Sequence, residues 1–168
     1  LTAFKGVDGR GLELSMARVR AAVSQGLPVI QGNLETDLKD YPTGAFDYAV
    51  LSQTLQATHN PRAVMEQLLR IARRAIVSFP NFGHWRVRWS VMFGGRMPVT
   101  QTLTDSWFDT PNIHLCTIRD FSLMCEDLGL TVRRAISLSR SGEGRELKSA
   151  GAAANLRGEE AIFLLTRE

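Results

Sequence analysis

Glu13 closes a short β-rich run from Gly9 to Leu14 (GRGLEL). In open α/β sheets ligands bind beyond the carboxyl ends of the strands, and an acid there can accept hydrogen bonds from both hydroxyls of a ribose. A solvated glutamate at a strand end is the plainer alternative. Gly32-Asn33-Leu34 ends the next apolar run. Asn33 offers a side-chain donor and acceptor, and the Leu34 amide can donate to a ring nitrogen while its side chain packs on a base; an Asn-containing turn would look the same. Ser52, Gln53 and Thr54 form a third polar cluster after FDYAVL. They could line a ligand edge or merely cap the segment that follows.

A fourth group is concentrated between Asn81 and Arg119. His84, Trp85, Arg86, Arg88, Trp107 and His114 stand there among further Arg and aromatic residues. Trp and Arg dominate interface hot spots because they join large contact area to directional donors, and a cap over an acceptor pocket uses the same types. His84 or His114 could act as a base, although a lone histidine is more often hydrogen-bonded structure. His59, His84 and His114 lack ligand spacing, and Cys116 and Cys125 lack the second pair that a zinc site requires, so no metal is expected. Both cysteines read as reduced thiols. No G-x-S-x-G elbow occurs.

The elements that must position these groups follow from pattern. Ser15 is a helix N-cap candidate, and Gly26 and Pro28 end that helix. Leu27 to Gln31 reads as a strand and the polar segment after it as a loop. Phe46 to Leu51 reads as a strand, and Asn60-Pro61 starts a helix that runs to about Arg73, with Val64, Leu68, Ile71 and Ala72 on one face and Glu66 and Arg70 paired outside. Ala75 to Phe79 is a strand. Thr117 caps a helix carrying Phe121, Met124, Cys125 and Leu128, with Asp120 in the capping-box position and Gly129 at its end. Leu130 to Leu138 and Ala161 to Thr166 are two final strands, joined by a long connection that reads as mobile. Such alternation predicts one α/β domain with a mostly parallel sheet and a terminal antiparallel pair.

The chain has 168 residues, 44% of them hydrophobic and 22% charged, with a formal net charge of +3. That is an ordinary globular balance. No run approaches the roughly 18 uninterrupted apolar residues of a membrane helix, and no secretory signal precedes the first strand, so the expectation is a cytoplasmic protein without a membrane role. A surplus of three charges is a weak footprint for nucleic acid, and none is expected as a partner. The run RVRWSVMFGGR could be a stacking stripe or a helix at a protein interface.

The strings VDGRGLELS at 7–15, LSQTLQATHNP at 51–61, RRAIVSFPNFGHWRVR at 73–88 and TPNIHLCTIRDF at 110–121 closely resemble the MetW family of methionine biosynthesis. The resemblance implies a Rossmann-like class I S-adenosylmethionine-dependent methyltransferase fold with a reversed final strand. It maps the cofactor's ribose onto Glu13 and its adenine onto Asn33 and Leu34; Ser52 and Gln53, taken from their place after the third strand, complete the expected cofactor set. It implies homoserine O-acyltransferase as partner, with the segment at about 81–116 as a docking or capping surface. An accessory S-adenosylmethionine-binding protein is the first expectation, and a methyltransferase acting on a small acceptor is the alternative. The fold also implies a first strand and a glycine-rich turn, which would lie about twenty residues ahead of Glu13. The sequence begins at Leu1 and contains no such turn, so cofactor binding is expected only where an N-terminal extension supplies it. That strand would lie between the ones ending at Glu13 and Leu51, and without it two edges are expected to remain unpaired.

Overall fold

The computed structural model describes residues 6–100, 103–139, 141–147 and 152–167. The chain forms two compact units, Leu1–Pro42 and Thr43–Glu168. In the first, β1 (Gly11–Glu13) and β2 (Val29–Gln31) pair in parallel, with Glu13 opposite Gln31. Helix α1 (Met16–Ser24) joins them, and a single helical turn, α2 (Leu34–Asp37), follows where the polar composition predicts a loop. A 3-10 turn, Leu38–Asp40, extends it. Asn33 explains the difference: its side chain accepts the Glu35 N–H, which satisfies a free donor and starts a helix despite the lack of an apolar stripe.

The second unit holds a five-stranded sheet in the order β3 (Phe46–Ser52), β4 (Ala72–Pro80), β7 (Glu160–Thr166), β5 (Thr131–Leu138) and β6 (Gly144–Glu146). β3 and β4 are parallel, whereas β7 runs antiparallel to both β4 and β5. Strands β3, β4 and β5 therefore share one direction, and the final strand is reversed between two of them. This is an α/β, Rossmann-like arrangement. Among the described strands none joins β1 or β2 to the five-stranded sheet, and β3 lies at an edge with Tyr48 and Val50 exposed.

Local chemistry fixes the helices. Asn60 caps α3 (Pro61–Ile71) by accepting the Ala63 N–H, and Pro61 occupies the first turn, where its missing donor costs nothing. Val64, Met65, Leu68, Leu69 and Ile71 are its buried stripe. Arg70 reaches the side chains of Gln67 and Thr43. Thr117 accepts the Asp120 N–H at the start of α5 (Ile118–Asp127), which buries Ile118, Phe121 and Cys125. Between them the Arg- and Trp-rich segment forms a further helix, α4 (Trp85–Gly94). The connection expected to be mobile carries β6 and a short helix, α6 (Ala152–Arg157), in its described part; positions 140 and 148–151 of it lie outside the described residues.

β4 is buried along most of its length, with Ala75, Val77 and Phe79 fully inaccessible. It begins at Ala72, directly after α3, because a strand flanked by β3 and β7 is extended by pairing beyond its apolar run. No helix among the described residues is long and apolar enough to cross a membrane.

Candidate functional site

In the first unit the parallel register of β1 and β2 puts Glu13 and the turn after Gln31 at one sheet end, where the Gly32 N–H donates to the Glu13 carbonyl at 3.0 Å. The Glu13 carboxylate accepts the Ser15 N–H at 2.9 Å, and Arg18 lies 3.9 Å away; both contacts fall on Oε1. Glu13 thus starts α1, in place of the Ser15 side chain, which makes no capping bond. The Asn33 N–H donates to Asp37 at 2.8 Å, and the Thr36 hydroxyl donates to the other Asp37 oxygen at 2.6 Å. These bonds, the Thr36 hydroxyl foremost, hold the Asp37 carboxyl below its ordinary range. The Asn33 side-chain oxygen is engaged in the cap, where it accepts the Glu35 N–H at 2.9 Å. Leu34 follows it, half-buried. Gly32 closes the corner, since a Cβ there would meet Leu12 at 2.4 Å and Asp37 at 2.8 Å.

In the second unit Ser52 and Ser78 face each other at the carboxyl ends of β3 and β4, their hydroxyls 3.4 Å apart. Gln53 adopts φ +51°, a left-handed conformation that costs a non-glycine residue about 1–2 kcal/mol. Its N–H donates to the Ser78 carbonyl at 3.0 Å, and its side chain donates to the Glu160 carboxylate at the start of β7. Backbone strain held in this way is a mark of functional sites. Gln56 is buried beneath, donating to the Gln53 carbonyl at 3.0 Å while its own carbonyl accepts the N–H groups of Ile113 and His114. Its side-chain oxygen is one of two buried side-chain oxygens that find no partner among the described residues.

Asn81, immediately after β4, is the residue that holds this end of the unit together. It lies 2% exposed and bonds to Asn155, Gly158, Gly83 and Ile118. It opens the Arg- and aromatic-rich stretch of the sequence but shows no role there, because its partners lie as far as 77 positions away. His84 is buried as well. Its ring caps α4 by accepting the Arg86 N–H, and burial lowers its pKa against the opposing pull of Glu159. The surface expected of this histidine is therefore made by its neighbours. Trp85 is half exposed beneath the Arg86 guanidinium, which also lies 3.8 Å from Glu159. Arg88 donates to the Gly83 carbonyl at 2.7 Å, Trp107 meets Phe108 edge-on in solvent, and His114 is exposed.

Gly83 sits where nothing larger fits, since an added Cβ would lie 2.6 Å from the Asn155 side-chain oxygen. Gly83→Ala is expected to cost about 1–3 kcal/mol in urea unfolding through overpacking of this junction. A change below about 0.5 kcal/mol would mean that Asn155 rotates away freely. The cysteines are free thiols, and burial pushes both up to about 12, which leaves no thiolate nucleophile near neutral pH. Among the described residues no three His, Cys, Asp or Glu side chains gather as a metal would require.

This architecture recurs in solved structures. A possible histamine N-methyltransferase of the SAM-dependent class from Thermotoga maritima superposes with a TM-score of 0.68 at 14% identity, covering 95% of this chain and 72% of that one. A SAM-dependent methyltransferase from Archaeoglobus fulgidus gives 0.66 at 10% identity, covering 98% and 78%. The [4+2]-cyclase SpnF gives 0.59 at 14% identity, covering 94% and 66%. The shared feature is the fold, and one fold hosts different chemistries. In sequence, the bifunctional methionine biosynthesis protein MetXA/MetW of Rhodopirellula baltica is 32% identical over 123 residues, 73% of this chain. The chain spans 20% of that relative's length. A family model described as methionine biosynthesis protein MetW matches residues 1–165, and the chain belongs to that family.

Proposed function

We propose that this protein is an S-adenosylmethionine-binding accessory subunit of L-methionine biosynthesis that acts with homoserine O-acyltransferase in the cytoplasm. The observation that carries this reading is the relative in which MetXA and MetW share one chain. Fusion supplies a high effective concentration to two modules that work together, and the MetXA part is read as the acyltransferase. Among the fold's neighbours is a cyclase, so the fold alone is no argument for methyl transfer.

The residues present fit the nucleoside half of the cofactor. Glu13 offers an acceptor carboxylate at a strand end, and the turn at Asn33 and Leu34 offers a side-chain amide and an apolar side chain. Glu13 would hold the ribose and Asn33 with Leu34 the adenine. The group supplies a sulfonium methyl when bound; in an accessory subunit its effect is instead a difference in affinity between two states of the complex. The cofactor is a downstream product of methionine synthesis, and so would report sufficiency.

Size-exclusion chromatography of the full chain with homoserine O-acyltransferase, with acyltransferase activity followed with and without S-adenosylmethionine, tests the reading. Co-elution with altered activity supports it. Separate peaks with unchanged activity, and release of S-adenosylhomocysteine with a small acceptor, would replace it with a methyltransferase. The cofactor assignment has its own test in titration calorimetry. In a chain that also carries the N-terminal glycine-rich turn, Glu13→Ala is expected to weaken S-adenosylmethionine affinity at least tenfold, about 1.4 kcal/mol. Glu13→Gln, which keeps an acceptor for the Ser15 N–H, separates loss of the ribose contact from loss of the α1 start.

A further inference from the structure

Helix α4 (WRVRWSVMFG) carries apolar residues on opposite sides. At 3.6 residues per turn, Val87 and Val91 share one side, and Val87 is the sole buried residue among the ten described ones. Trp85, Trp89, Met92 and Phe93 fall at i, i+4, i+7 and i+8 on the other side, an arc of about 100° that would serve as the core stripe of an ordinary amphipathic helix. Here it faces solvent: Trp89, Met92 and Phe93 are 61%, 74% and 65% exposed. The Trp89 and Phe93 rings touch with centroids 4.3 Å apart, so the stripe is already assembled.

The helix is fixed at its first turn by the His84 cap, by Arg88 on the Gly83 carbonyl and by Arg86 beside Glu159. It ends on Gly95 at φ +59°. A ten-residue helix is marginal alone in water, and an exposed apolar stripe of this size marks a surface that another molecule covers. Charge narrows the choice of cover. From Asn81 to Thr104 the sequence has three arginines, Arg86, Arg88 and Arg96, and no acid. Arg86 and Arg88 flank the stripe on its two sides; Arg86 is shared with Glu159 and the Trp85 ring, while Arg88, held through Nε on the Gly83 carbonyl, is exposed and suits a carboxylate of the covering molecule.

Resting on the partner named above, we propose that α4 inserts its Trp85-Trp89-Met92-Phe93 stripe into an apolar, acid-rimmed groove of homoserine O-acyltransferase. This is helix-in-groove recognition, with Trp89 and Phe93 as anchors.

Calorimetric titration of the full chain with purified homoserine O-acyltransferase tests it. The double substitution Trp89→Ala with Phe93→Ala is expected to weaken binding at least 100-fold, while Leu123→Ala, an exposed apolar change on α5, leaves it unchanged. Hydrogen exchange of the unaltered complex gives a readout independent of variant folding: amides of residues 86–96 are expected to gain protection. Tight binding by the double variant, or no protection at 86–96 in a complex that forms, overturns the α4 surface and leaves the partnership standing. No complex with the unaltered chain removes the partnership itself. Self-association, or binding to anionic vesicles, that is abolished by the same double substitution would assign the stripe to a second copy or to a lipid surface and overturn the proposal.

Discussion

Asn81→Ala should lower the unfolding free energy of this protein by about 3–5 kcal/mol, among the largest effects of any single polar change. The Asn81 amide nitrogen donates to the carbonyls of Asn155 and Gly158, both at 2.7 Å. Its oxygen accepts the N–H groups of Gly83 at 2.9 Å and Ile118 at 3.2 Å. A methyl group replaces none of these, and four backbone groups lose a partner at a position only 2% exposed. A urea titration followed by circular dichroism measures the loss, with an unchanged slope marking an intact native state. Asn81→Asp sharpens the account. It retains an acceptor for Gly83 and Ile118 but sets a carboxylate against two carbonyl oxygens, so it should be destabilising at neutral pH and recover in part as acid protonates it. A loss under about 1 kcal/mol for the alanine variant would mean that water takes over the bonds.

Elements whose cause is local were open to reading from composition and spacing. Asn60-Pro61 and Thr117 announce helix starts that the structure confirms bond by bond. The run AIVSF is a central strand, and the reversed last strand follows from the closing pair of apolar runs. Elements whose cause lies far along the chain were hidden. β6 is a three-residue exposed edge strand, defined by its pairing with β5 and without an apolar pattern of its own. Helix α4 was legible only as one of two alternatives, a stacking stripe or an interface helix, because two opposed apolar faces cancel the periodicity that betrays an amphipathic helix. The candidate site divides in the same way. Glu13, Asn33 and Ser52 could be picked out as candidates because they end strands or come just after them. The bond from Gln53 to Glu160 spans 107 positions and exists only because β7 inserts beside β4. Gln56 gave no signal at all, since burial of a polar side chain cannot be seen in its neighbours.

Phe79→Ala should cost about 3–5 kcal/mol, for reasons of packing alone. Phe79 is fully buried on β4, with ring centroids 4.7 Å from Phe121 of α5 and 5.8 Å from Phe163 of β7, and those two rings lie 4.8 Å apart. Three elements therefore meet through three rings, and removing one opens a void between a helix and two strands that are hydrogen-bonded to each other and cannot close it. Phe79→Leu, which fills much of the space, should cost about 1–2 kcal/mol. The position of Phe79 gives this core contact a consequence for the site. Ser78 before it holds Gln53, and Asn81 two residues after it ties down the segment from which α4 projects. Phe79→Leu, still folded at room temperature, should therefore speed amide exchange at Gln53 and Gly83 before it affects the far end of β4. Uniform acceleration along β4 would mean that the aromatic cluster stabilises the sheet as a whole, with no special hold on the carboxyl end of β4.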